Sequence, residues 1–498
     1  MEFLLSSLVL MPLAGALCIG VSPRRRPGLI KSMGLFFAVC QLGLALLLYI
    51  DFDPGISGMQ FVERYAWIAS MGLYFHLGVD GISLFLVLLT IVLTLLVMLV
   101  DWPGAEAHLK EYTCAVLALS SALVAAFVAL DLLLFYICCE ASVLLMSFLI
   151  GIGGRSRRIY ASLHTALYSF TMGLPFLVAL LYLADYHRQI NGQFHFGVLQ
   201  LYELTLPLEA QLWPLLAFFL YFAARLALFP LHTWLSTAQV AAPLPLTILL
   251  AGVALKVGGY GLLRFCLPLF PEAFYDWSAH IAALATVGII YGALLAMVQD
   301  DLQKVVACAS TSQMALVVLG IATLNLQGLQ GSLIHMVNHG VATAALLLIA
   351  GGLYRRFQTQ ELVRFGGLSQ SMPLTTAFFL VTLLAFAGLP GLGGFAGVLA
   401  IVLGSYERFA THAVVAVLAV VLIAWRCADI FQHSMWGEKK ATATDMGWRE
   451  LGPVVSLLLI SLWFGFYPGT LLQRTEGAVE QVLVRVGAEV QSEFVEGE

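Results

Sequence analysis

Charge is what this sequence has least of. Charged residues make up 11% of its 498 positions, against roughly 25% in a soluble domain. A soluble chain of this length would divide into about three domains, and so few charges cannot cover their surfaces. No basic block exceeds three residues and the net charge is −5, which argues against a nucleic-acid partner. Cysteine is present but unorganised. The eight residues lie almost entirely inside apolar runs, with no C-x-x-C pair and no zinc or iron–sulfur spacing. That pattern supports neither a disulfide framework nor a metal or redox centre. The N-terminus also lacks the charge order of a secretory signal, because Arg24, Arg25 and Arg26 follow the first apolar stretch instead of preceding it. It reads as a first membrane helix with its N-terminus outside.

What fills the chain is apolar. Hydrophobic residues account for 61% of it, and the mean hydropathy is +0.93. The expected class is an all-α polytopic membrane protein. Measured against the ~20 residues needed to span a bilayer, fourteen segments qualify: 3–21, 30–50, 81–100, 112–129, 131–151, 160–185, 211–236, 246–267, 277–298, 304–323, 329–354, 374–404, 411–432 and 451–468. Two polar loops, 51–80 and 186–210, separate some of them, and an acidic tail follows at 469–498, with a possible amphipathic helix at 475–490. Charge bias tests the count. Fourteen spans put both termini outside, fifteen basic residues inside and five outside; Arg225, Lys256, Arg264 and Arg426 fall within spans. A missed span would scramble that asymmetry.

Two spans carry interruption signals. The seventh contains LALFPLHTWL with Pro230, and the twelfth contains LAFAGLPGLGGFAG with Pro390 and several glycines. Breaks five helices apart point to two repeats, helices 4–8 and 9–13, inverted because each holds an odd number of helices. The expected units are therefore 1–110, 111–270, 271–435 and 436–498. A plain proline kink covered by packed neighbours is the simpler reading of either break alone.

Ionisable residues at membrane depth are costly and are functional candidates by default. Glu140 lies inside the fifth span, Arg225 just before the first break, and Lys256 mid-span in the eighth. His335 and His339 are four residues apart and share a helix face. Removal from water disfavours the charged form of a lysine, and histidine titrates near physiological pH. The set reads as a chain of proton carriers. Each member has a plainer alternative: a static ion pair for Glu140 with Arg225, satisfied core histidines for His335, His339 and His164, and a local pair for Arg426 with Asp429. His232, after the first break, and Lys304 and Gln313, in the tenth span, are secondary candidates.

These residues and their surroundings resemble the antiporter-like membrane subunits of respiratory complex I, and among them the M type. The segments that carry the resemblance are DLLLFYICCEASVLLMSFLIGIGG, FAARLALFPLHTWLSTAQVAAPLPLTILLAGVALKVGGYGLLRF, DLQKVVACASTSQMALVVLGI, GLQGSLIHMVNHGVATAALLLIAGGLYRR and GWRELGPVVSLLLISLWFGFYPGTLL. The long lateral C-terminal helix of the L type is not expected. The resemblance implies fourteen helices, ten of them in two inverted five-helix repeats. It also implies proton translocation driven by quinone reduction elsewhere, with quinone and the iron–sulfur and flavin centres held by partner subunits and no cofactor in this chain. The implied partners are L-, N- and K-type membrane-arm subunits and membrane lipids, in a bacterial-type inner membrane or its equivalent. Glu140 matches the family's modulating glutamate, Lys256 its central lysine and His339 its helix 11 histidine.

Three positions depart from the family. Arg225 stands for a lysine, Gln313 for a histidine, and Val398 for the acid or lysine after the second break; no ionisable residue occurs between Arg364 and Glu407. Arginine does not give up its proton in proteins, so Arg225 biases its neighbours without relaying. Three readings stay open: a proton-translocating subunit of a complex I-like assembly, a subunit of a cation/proton antiporter or carbon-uptake complex, and a non-pumping structural relative. Rerouting through His335 is an alternative to a dry exit at Val398.

Overall fold

Within a bilayer the backbone has no water to bond, so apolar segments satisfy their polar groups as helices. The computed structural model describes residues 3–100, 108–155, 157–440 and 442–496, with side chains to 487. It is mostly helical. The chain begins with α1 (Leu4–Val21) and α2 (Pro27–Asp51), and continues after a hairpin with α3 (Gly81–Leu99), α4 (Leu109–Val128), α5 (Leu132–Gly153) and α6 (Arg158–Asn191). Short α7 (Val198–Leu201) precedes α8 (Leu208–Arg225) and α9 (Thr233–Ala241). Next come α10 (Leu244–Leu269), α11 (Pro271–Met297), α12 (Leu302–Ala322) and α13 (Leu326–Phe357). The chain closes with α14 (Pro373–Ala387), α15 (Gly393–Met435), α16 (Trp448–Phe466) and α17 (Gly469–Glu496). Among the described residues, twelve helices are long and apolar enough to cross a membrane. This is a multi-pass membrane protein.

Both interruptions lie where proline and glycine predict them. The span expected over 211–236 is α8 and α9, separated by residues 226–232. Trp234 Nε1 donates to the Ala224 carbonyl at 2.9 Å, tying the start of α9 to the end of α8. The span expected over 374–404 breaks between α14 and α15, where Gly388 and Gly391 take positive φ. The next expected span, 411–432, follows that second half across a kink: within the 43 residues of α15, Phe409 takes non-helical φ and ψ. The fold is layered about a buried centre. The most apolar stretches of α10, α12 and α13 are buried throughout, whereas those of α2 and α6 are buried over 28% of their length. Leu17, Val21 and Trp425 are exposed, apolar groups suited to lipid contact.

The loop expected at 51–80 is structured. Strands β1 (Gln60–Ile68) and β2 (Leu73–Val79) form an antiparallel hairpin, with Glu63 opposite Leu77 and Tyr65 opposite Phe75. Glu63 is buried and accepts the backbone N–H of Leu5 at 2.8 Å and of Ser6 at 3.1 Å. The hairpin thus caps the start of α1 with a carboxylate, where the helix dipole favours negative charge. The loop expected at 186–210 contains the end of α6 and all of α7, and the tail helix is longer than expected, covering the whole of α17.

Candidate functional site

The buried ionisable residues form two groups. The first joins α5 to α8. The Asp131 carboxylate caps α5 by accepting the backbone N–H groups of Leu133 and Leu134. Two turns on, Glu140 points at α8. Tyr221 Oη donates to Glu140 Oε1 at 2.8 Å and accepts from Arg225 Nη2 at 2.8 Å, and Nη2 itself lies 3.5 Å from Oε1. All three residues are buried. Tyr221 and Arg225 are one helical turn apart, so they present to the same face. Glu140 Oε2 and Arg225 Nε have no hydrogen-bond partner among the described residues. The expected ion pair is present, and a tyrosine hydroxyl that the sequence reading passed over bridges it. Spacing was the available signal, since Tyr221 lies four residues before a charged residue inside a span.

The second group joins α10 to α12 and α13. Two wide π-helical turns, Leu250–Ala254 and Leu262–Cys266, flank Lys256; such turns recur at functional sites. Lys256 Nζ donates to the Ala251 carbonyl at 2.5 Å and lies 2.8 Å from His339 Nδ1. The other nitrogen of His339, Nε2, is 3.2 Å from Ser310 Oγ. Glycine permits this approach: a Cβ added to Gly340 would sit 2.6 Å from the Gly252 carbonyl oxygen. The two backbones therefore touch one residue from His339 and four from Lys256. The ring centroid of His335 lies 6.2 Å from that of His339, and its two nitrogens have no hydrogen-bond partner among the described residues.

Beside the second break, a cavity of about 20 Å³ is lined by Gln313, His335, His339, Gly388 and Val398, with other apolar residues. Gln313 Nε2 donates to the Phe386 carbonyl at the end of α14, at 2.9 Å. Helices α12, α13, α14 and α15 and the broken segment thus converge on one small space.

The secondary candidates separate from these groups. Lys304 has an exposed side chain, and its backbone N–H is capped by Asp301 at 3.1 Å. Arg426 pairs with Asp429 on its own helix and donates to the Gln299 carbonyl, the local arrangement. His232 sits against Phe229 and Tyr291, and His164 between Tyr160 and Tyr168. Arg264, counted in the sequence only as a charge within a span, forms a buried ion pair of 2.5 Å with Asp80, which caps α3. Among the described residues no three His, Cys, Asp or Glu side chains gather as a metal site.

Buried ionisable side chains beside two broken helices suit a translocation path. The family pattern described as NADH:quinone oxidoreductase/Mrp antiporter, transmembrane, matches residues 129–423. NADH-quinone oxidoreductase subunit M of Rickettsia prowazekii is 36% identical over 448 residues, covering 88% of this chain and 90% of that protein. Respiratory complex I from Thermus thermophilus with bound NADH contains a chain with TM-score 0.88 and 29% identity, covering 97% of this chain and 99% of that one. The Mrp complex from Dietzia contains a chain with the same fold at TM-score 0.82, with 20% identity, covering 97% and 99%. The chain belongs to the NADH:quinone oxidoreductase/Mrp antiporter family of transmembrane proteins.

Proposed function

We propose that this chain is the M-type, proton-translocating subunit in the membrane arm of a complex I-like NADH:quinone oxidoreductase. It carries no redox chemistry itself; quinone, flavin and iron–sulfur centres belong to partner chains, and L-, N- and K-type subunits and lipids surround it. Fourteen spans, ten of them in two inverted repeats at 111–270 and 271–435, with both termini outside an inner membrane, complete the reading. The observation that supports it most is the 2.8 Å contact between Lys256 Nζ and His339 Nδ1 within a buried centre. An amine and an imidazole in contact share a proton, because each accepts what the other gives up. The Glu140–Tyr221–Arg225 group supplies a fixed bias: Arg225 holds its proton, and Glu140 partly offsets its field. The proton path on this reading runs through Lys256 and His339, with His335 beyond, and Glu140 controls how readily Lys256 loads.

The test is Lys256→Ala in the assembled complex, reconstituted in sealed vesicles, with protons moved measured per quinone reduced. Loss of this subunit's share of the ratio is the expected result. A normal ratio in an assembled Lys256→Ala complex rules the reading out. The Mrp-type alternative, supported by the shared fold alone, predicts that translocation persists without any quinone-reducing partner.

A further inference from the structure

The cavity beside the second break carries two departures from the family and one addition in its lining. Position 313 on α12 holds glutamine where the resemblance expects histidine, and position 398 on α15 holds valine where it expects an ionisable group. Both line the cavity, and so does His335 on α13. The imidazole of His335 is buried with both nitrogens unpaired among the described residues. A buried polar group without a partner is costly, yet the surroundings hold the backbone firmly here. A Cβ on Gly397 would stand 2.7 Å from the His335 backbone nitrogen, so α15 rests directly on α13 at this residue. The cavity, at about 20 Å³, accommodates a single water, which needs ~10–15 Å³ and polar partners. The 6.2 Å between the centroids of His335 and His339 is too long for a ring-to-ring hydrogen bond, and the cavity that both line leaves room for one bridging water.

We infer that the proton-carrying imidazole of this cavity has moved from α12 to α13: His335, through one bound water, performs the exit step for which this chain lacks a group at 313 and 398. The inference rests on the proposed translocation function and adds the route past Val398. One proton is transferred. An N–H bond of the Lys256 ammonium breaks as one forms at His339 Nδ1. His339, protonated on both nitrogens, releases the second proton to the water, and the water passes one of its own to a nitrogen of His335. Each bond broken is matched by one formed, and no electron moves. Val398 contributes only methyl groups to the wall, so the step depends on His335 and the water.

The experiment exchanges the two side chains in the assembled complex. His335→Gln is expected to remove this subunit's share of the proton-to-quinone ratio, as Lys256→Ala does. Adding Gln313→His to His335→Gln puts an imidazole back in the lining of the same cavity and is expected to restore the ratio. Adding Val398→Glu to His335→Gln is expected to restore it as well, since a carboxyl there also takes up a proton. A His335→Gln complex with the full ratio overturns the inference. So does a double variant that assembles and moves no more protons than His335→Gln alone. If His335→Gln does not assemble, the two double variants, compared with the parent, decide on the same terms. The failures are distinguishable: a normal Lys256→Ala complex removes the function itself, whereas a defective Lys256→Ala beside a normal His335→Gln removes only this route.

Discussion

Lys256 Nζ and His339 Nδ1 meet at 2.8 Å in a fully buried setting, with no carboxylate in ion-pair reach of the lysine among the described residues. A buried amine without a counter-charge does little for stability, because its desolvation cost is not offset. Lys256→Met keeps the volume and removes the polar group. It is expected to abolish translocation while leaving the thermal midpoint of the solubilised complex unchanged or higher. A fall in the midpoint of several degrees would mean that the lysine serves the fold.

The Glu140–Tyr221–Arg225 group makes the opposite prediction. Glu140→Gln leaves a buried guanidinium without a counter-charge, which costs about 3–5 kcal/mol. Tyr221→Phe removes one bridging hydroxyl and costs about 1–3 kcal/mol. Glu140→Gln combined with Arg225→Met removes both charges and is expected to recover most of the loss. Denaturant or thermal unfolding of the four proteins should rank them in that order; equal losses for Glu140→Gln and the double variant would contradict the pairing.

The approach of α10 to α13 depends on having no side chain at Gly340, where a Cβ would lie 2.6 Å from the Gly252 carbonyl oxygen. Gly340→Val must push the helices apart, at about 1–3 kcal/mol of overpacking. Separation lengthens the Lys256–His339 contact, so translocation should fall in complexes that still assemble. Unchanged pumping in Gly340→Val would show that direct contact is not needed.

Outside the membrane-spanning helices, His76 on β2 titrates far from its ordinary value of 6.5. Burial, and then the Arg64 guanidinium and the His195 imidazole beside it, push it down to about 4. The folded hairpin therefore holds His76 neutral. Its contribution to stability is complete above pH 6.5 and is lost as pH falls toward 4. The His76 carbonyl also accepts the Leu130 N–H at 2.8 Å, tying the hairpin to the start of α5. Amide exchange in residues 60–79, corrected for intrinsic rates, should be faster at pH 5 than at pH 7. His76→Gln should remove that difference, and a difference that survives the substitution assigns it to another group.

The sequence by itself determined the membrane class, both helix interruptions and the identities of the buried ionisable residues. These are local properties: a long apolar run has only a helix available to it in lipid, and Pro230, Pro390 and their glycines break that helix wherever the run continues. The same logic failed at 51–80. There, two strands pair with each other and a buried Glu63 reaches Leu5 and Ser6, partners almost sixty residues away. Only the tertiary structure decided which buried groups meet. It placed Tyr221 between Glu140 and Arg225, gave Arg264 to Asp80, returned Arg426 to Asp429 on its own helix, and put Gln313, His335 and Val398 around one cavity. Helix spacing sets such distances. It is fixed by contacts such as Gly340 on Gly252 and Gly397 on His335, where two backbones touch because a side chain is missing from each crossing, and no pattern within a single helix contains its partner.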